Sequence, residues 1–125
     1  MQSVSDNSRL VIGCAQFGMP YGLIRNQSKL AQDQVQKVLL KAYENGIRGL
    51  DTAEAYGDSE EKCVKAVVGT NPRAWDFTTK VSPVSKNIPE RVAKLTKSLR
   101  GAKANILAHS ATDYIESERF RSELL

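Results

Sequence analysis

Apolar residues along this chain fall into two kinds of stretch that alternate. Some are short continuous runs; others are longer segments in which apolar positions return every three or four residues. Residues 9–15 (Arg-Leu-Val-Ile-Gly-Cys-Ala) form a run of the first kind and predict a buried strand. Residues 16–30 carry Gly18, Pro20, Gly22 and Asn26 and predict a long loop, a length often tied to function in a compact domain. From Ala31 the period changes: Val35, Val38, Leu39 and Ala42 share one helical face, and Gly46 stands where a helix stops most easily.

The same alternation then repeats. Residues 47–51 predict a second strand ending in Asp51. Asp58 and Glu61 have capping-box spacing, with Ser59 as an alternative cap, ahead of a helix whose apolar side is Val64, Val67 and Val68 and whose stop is Gly69. Residues 75–81 predict a third strand. Pro89 suits the first turn of a helix that turns Val92, Leu95 and Leu99 inward and stops at Gly101. Residues 104–108 predict a fourth strand, and residues 114–125 the start of a fourth helix.

Strand followed by helix thus occurs four times within one unit covering residues 1–125. The pattern predicts an α/β fold with a parallel sheet covered by helices. The strand spacing suits a (β/α)8 barrel, but eight such units need roughly 250 residues. The expectation is therefore the N-terminal half of a TIM barrel, about four βα units.

Composition narrows the class without naming a function. Of 125 residues, 41% are hydrophobic and 26% charged, ordinary for a globular protein. The polar start at residues 1–8 has no secretory apolar core, and no segment reaches the roughly 20 apolar residues of a membrane span. A cytoplasmic setting without membrane contact is expected. Cys14 and Cys63 are too few for a disulfide framework, and one histidine leaves little for a metal site; both thiols are read as small buried apolar groups. The net charge of +4 includes Lys94, Lys97, Arg100 and Lys103, spaced to run along one side of a helix. No aromatic residue interleaves with them, so the stripe is read as a solvated surface rather than a nucleic-acid site.

Chemistry collects where strands end. Asp51 closes the second strand, Lys80 stands near the end of the third, and His109 follows the fourth. In parallel α/β folds those ends face a common site. Tyr56 comes five residues after Asp51, in the same loop. Singly, each has an ordinary reading: a turn aspartate, a rim lysine, a structural histidine, a half-buried tyrosine. Together they form a working set. A tyrosine exchanges its proton poorly at neutral pH, a neighbouring ammonium favours its phenolate, and an aspartate holds the ammonium in place. A histidine opposite can orient a carbonyl oxygen. Such a group suits protonation of a carbonyl oxygen while hydride reaches its carbon; no side chain supplies hydride, so a nicotinamide cofactor is implied.

These residues also carry a resemblance. Asp51-Thr52-Ala53 with Tyr56-Gly57 and Ser59-Glu60 resembles the signature that aldo-keto reductases carry after their second strand. Thr78-Thr79-Lys80 is similar to their third strand, Leu107-Ala108-His109-Ser110 to the end of their fourth, and Gly13-Cys14-Ala15-Gln16-Phe17-Gly18 to their first. The style is nearest the bacterial branch found with polysaccharide-biosynthesis genes. The resemblance implies NADPH-dependent reduction of an aldehyde or ketone. It casts Tyr56 as general acid/base, Lys80 as the group that tunes it, Asp51 as the partner of Lys80, and His109 as the residue that orients a small carbonyl substrate. It places Gly13, Ala15, Gln16 and Asp51 on the cofactor side.

The resemblance runs from about Arg9 to Ser110, less than half of a family member, and most of the family's cofactor site comes from strands five to eight. A half barrel is expected to bare two edges and an apolar inner face, and so to be marginal, to self-associate or to pair with another half. The alternative is a non-catalytic fragment that binds a partner or complements another half. A signalling module with Asp51 as phosphate acceptor fits less well, because Gly13, Cys14, Ala15 and Gln16 stand where that fold needs an acidic pair.

Overall fold

The computed structural model describes residues 6–22 and 28–125. Asn26 and residues 1–5, named above in the loop and the polar start, lie outside the described residues. Strands β1 (Val11–Gly13), β2 (Gly49–Asp51), β3 (Asp76–Val81) and β4 (Lys103–Ala108) form one parallel sheet in the order β1-β2-β3-β4. Parallel neighbours need crossover connections, which here are helical. Helices α1 (Ala15–Gly18) and α2 (Gln32–Glu44) lie between β1 and β2, α3 (Ser59–Val68) between β2 and β3, and α4 (Ile88–Ser98) between β3 and β4. Helices α5 (Ala111–Glu116) and α6 (Glu118–Leu124) follow β4. The expected α/β order of four strand-helix units is therefore present.

Register decides which side chains share a face. Val11 pairs with Gly49, Gly49 with Asp76, and Asp76 with Lys103. Along β3, Phe77, Thr79 and Val81 are buried while Asp76, Thr78 and Lys80 alternate with them on the opposite face. The buried face meets the helices through Val35, Leu39, Cys63, Val67, Trp75, Leu95 and Leu99. Trp75 satisfies its indole N–H on Thr70 Oγ1 at 2.7 Å. A smaller cluster of Val81, Ile88 and Phe120 holds α6 against the end of the sheet.

Several expectations are corrected. The open face of the sheet is polar rather than apolar: Asp51, Asp76, Thr78, Lys80, Lys103 and Asn105 share it, and Asn105 donates to Asp76 and Thr78 across the strands. Only Val11 and Leu107, on the two edge strands, put large apolar side chains there. The expected loop at residues 16–30 opens instead with α1, because Cys14 and Phe17 are buried and draw the chain into a turn. Val38 is exposed, whereas Val35, Leu39 and Ala42 are buried, so the buried stripe of α2 is narrower than its periodicity. On α3 the innermost residues are Cys63, Ala66 and Val67, with Val64 partly buried.

Asp58 occupies the cap position of α3 without a side-chain cap bond; its carboxylate is drawn instead to Lys62 at 3.3 Å and Lys29 at 3.5 Å. The basic stripe dissolves, since α4 ends at Ser98, Arg100 adopts a left-handed backbone (φ 49°) and Lys103 lies in β4. The fourth helix breaks at Ser117, which is extended and accepts from the Phe120 N–H, so that α6 restarts and turns Phe120 into the core.

Candidate active site

The carboxyl ends of the four strands bring the sequence-predicted groups to one edge of the sheet. Lys80, on the open face of β3, donates to the Asp51 carboxylate on β2 and, at 2.9 Å, to the Thr52 carbonyl. Its ammonium stands 5.2 Å from the centroid of the Tyr56 ring. The His109 ring meets Tyr56 edge-on, with centroids 6.0 Å apart. The His109 N–H donates to the Val81 carbonyl at 2.8 Å, which continues the β3–β4 ladder and fixes where this exposed ring begins. Lys80 is the least exposed of the charged pair, with 17% of its side chain accessible against 44% for Asp51. The lysine is thus held by an ion pair and a carbonyl on one side while its ammonium faces an aromatic ring on the other.

The loop that carries Tyr56 is built from the residues around it. Thr52 is fully buried, and its backbone N–H donates to the Thr78 carbonyl at 2.9 Å. Ser59, also fully buried, donates to the Cys14 carbonyl at 2.7 Å and so accepts from Thr52 at 2.8 Å. Ser59, expected as an alternative cap, instead ties α3 to β1 and β2. Gly57 has φ +58°, a left-handed turn that suits glycine.

Gly13, Ala15, Gln16 and Asp51, the residues expected on the cofactor side, line one cavity of about 340 Å³ together with Tyr56 and Tyr21. Gly13 leaves free space there, for a Cβ built on it meets no atom within 4 Å. Lys80 and His109 do not line this cavity, although Lys80 bonds the Asp51 carboxylate that does. Tyr21 carried no sequence signal beyond its place in a loop. Lys62, a buried lysine, ties α1 to Leu30 ahead of α2: its ammonium donates to the Phe17 carbonyl at 2.9 Å and the Leu30 carbonyl at 2.6 Å.

Cys14 and Cys63 are buried free thiols. The Cys63 thiol beside Cys14, and then burial, push the Cys14 thiol well above the ordinary thiol range. It is inert packing at the back of the site. Among the described residues no group of three or more His, Cys, Asp or Glu stands ready to hold a metal, and no helix is long and apolar enough to cross a membrane.

Comparison with known proteins bears on the fold and the family. The model of the Aldo/keto reductase family matches residues 9–115. No curated protein gives a significant match. Two solved structures from Pseudomonas aeruginosa, both provisionally assigned as aldo-keto reductases, are similar in fold. One is 25% identical with a TM-score of 0.69, over 91% of this chain and 48% of its own. The other is 24% identical with a TM-score of 0.66, over 91% of this chain and 47% of its own. The chain spans about half the length of the structures it matches.

Proposed function

This chain belongs to the aldo/keto reductase family, and from that premise we propose that its site serves the NADPH-dependent reduction of an aldehyde or ketone to an alcohol. The observation that carries the reading is the placing of Lys80 between the Asp51 carboxylate and the Tyr56 ring. Tyr56 is the proton donor to the carbonyl oxygen. The Lys80 ammonium faces the negative charge that develops on the tyrosine oxygen as its proton leaves, and Asp51 aims that ammonium. His109, edge-on to Tyr56, orients the carbonyl oxygen by donating to it.

NADPH, when bound, would supply the hydride. The residues here fit its reactive end: the open space over Gly13 and the cavity shared with Ala15, Gln16 and Asp51 adjoin Tyr56. A cytoplasmic setting belongs to the same reading.

The test is NADPH binding by calorimetry together with NADPH oxidation at 340 nm over a panel of small aldehydes. Micromolar binding with turnover that Tyr56→Phe lowers by a factor of about 10² to 10⁴ is expected. Absence of both binding and turnover at millimolar NADPH removes the claim that these residues act alone.

A second, non-catalytic reading is favoured by the sheet edges. Among the described residues, strands β1 and β4 each have one unpaired side in the sheet, and Val11 and Leu107 on them are 61% and 48% exposed. Such edges suit pairing with a second copy or a complementary half barrel. Size-exclusion chromatography with light scattering separates the two: turnover by a clean monomer sinks this second reading.

A further inference from the structure

We propose that Arg91 is a positioning residue for Tyr56, acting through Glu54 and Glu60; the proposal rests on the reading of Tyr56 as proton donor. Arg91 lies in the first turns of α4, on a different element from the loop it serves. Its Nε stands 3.5 Å from Glu54 Oε2, and its Nη2 donates to Glu60 Oε1 at 2.6 Å. Glu54 comes two residues before Tyr56 and Glu60 four residues after it, so one guanidinium spans both flanks of the tyrosine.

Each carboxylate has a further hold. Glu54 accepts from the Ser85 hydroxyl, and its backbone N–H donates to the Lys80 carbonyl at 3.1 Å. Glu60 Oε2 accepts from Thr79 Oγ1 at 2.5 Å, and Thr79 is fully buried in β3 next to Lys80. Arg91 therefore couples the Tyr56 loop, through these two carboxylate residues, to Lys80 and its neighbour Thr79 in β3. A planar guanidinium does this where an ammonium cannot, because its fork fixes two acceptors in one plane.

The pairing is also sheltered: Arg91 and Glu60 expose 24% and 17% of their side chains. Water screens such a pair less than a surface pair. Arg91 Nη1 is buried without a hydrogen-bond partner among the described residues, so the hold rests on the two carboxylates. None of Arg91, Glu54, Glu60 or Thr79 lines the cavity beside Tyr56. Their influence reaches the chemistry only through the loop.

The readout is the nuclear Overhauser cross-peak between the Tyr56 and His109 ring protons in the full chain, compared among wild type, Arg91→Met and Arg91→Lys. The edge-on contact gives this cross-peak in the wild type. Arg91→Met weakens it several-fold while the Trp75 indole resonance stays in place, and Arg91→Lys, keeping one carboxylate, falls between. A wild-type cross-peak in Arg91→Met overturns the proposal. A cross-peak missing from the wild type itself removes the reading of Tyr56, and with it anything for Arg91 to position. If Arg91→Met does not fold, Glu54→Gln, which loosens only the loop arm, carries the same expectation: a weakened cross-peak supports the link and an unchanged one overturns it.

Discussion

Gly18 and Gly57 pack backbone against backbone. A Cβ on Gly18 would stand 1.7 Å from the Tyr56 carbonyl oxygen, and one on Gly57 would stand 2.1 Å from the Gly18 carbonyl oxygen. The end of α1 thus presses directly on the loop that carries Tyr56, and neither backbone can yield as a flexible side chain would. Gly18→Ala is expected to destabilise the fold by about 1–3 kcal/mol, the usual cost of overpacking. Urea unfolding measures it, and a variant as stable as the wild type refutes this account of the contact.

Gly13 makes the opposite case. With open space around its Cα, Gly13→Ala should unfold within about 0.5 kcal/mol of the wild type. Its methyl group projects into space next to the cavity lined by Ala15, Gln16 and Tyr56. On the proposed function, NADPH affinity falls while stability does not. Equal affinity in the two proteins would place the nicotinamide end elsewhere.

Asp51→Asn removes the charge that faces Lys80. The aspartate is nearly half exposed, so solvent screening keeps its contribution to stability below about 1 kcal/mol. The proposed reductase rate should drop far more than stability, because the Lys80 ammonium loses the group that aims it. Parallel thermal melts and NADPH-oxidation rates test this; a rate unchanged by the substitution counts against the role given to the pair.

Asp58 predicts a pH dependence. Desolvation pushes its carboxyl upward, but the hydrogen bond and charge of Lys62, followed by those of Lys29, outweigh it and hold the group below the ordinary carboxylate range. A carboxyl depressed in the folded state stabilises above its unfolded value, about 3.9, and that contribution is lost as pH falls through the folded value. Asp58→Asn should therefore be less stable than the wild type at pH 6. The two should converge only once pH has fallen through the depressed folded value, below the ordinary carboxylate range, where the aspartate too is neutral. Urea midpoints across that range give the comparison, and a gap that persists in acid argues against the ion pairs.

The thiols offer a check on burial. Cys14, raised by Cys63 and by burial and bonded to the Ile12 carbonyl at 3.2 Å, should resist iodoacetamide in the native protein at pH 8. Cys63, fully buried, should behave alike. Both should be alkylated once the chain is unfolded, as mass spectrometry reports. Rapid native labelling of either means that the β1–α3 junction opens.

Local pattern was enough for the alternation of strands and helices, because the periods of 2 and 3.6 residues are written into which positions are apolar. It was also enough to place Asp51 and His109 just where strands end and Lys80 near the end of the third, since each lies at the boundary of a predicted strand. Where the chain turns for reasons of burial, pattern was silent. Phe17 pulls α1 out of an apparent loop, and Phe120 requires the helix to restart at Ser117. Val38 has the right period for a buried face and is nonetheless exposed, because how wide a stripe is covered depends on what packs against it.

Side-chain partners lay further out of reach. Asp51 and Lys80 are 29 positions apart, and Arg91 lies 31 positions from Glu60; such pairs exist only once the strands adopt their register and the helices lie over them. That register also turned the open sheet face polar, aligning Asp76, Thr78 and Asn105 across three neighbouring positions of β3 and β4. By itself the sequence determined the order of elements and the chemical identity of the groups at the strand ends, both local properties of the chain. The tertiary structure decided which of those groups meet, setting Lys80 against Asp51 and beside the Tyr56 ring, because contacts between distant residues follow from packing and register.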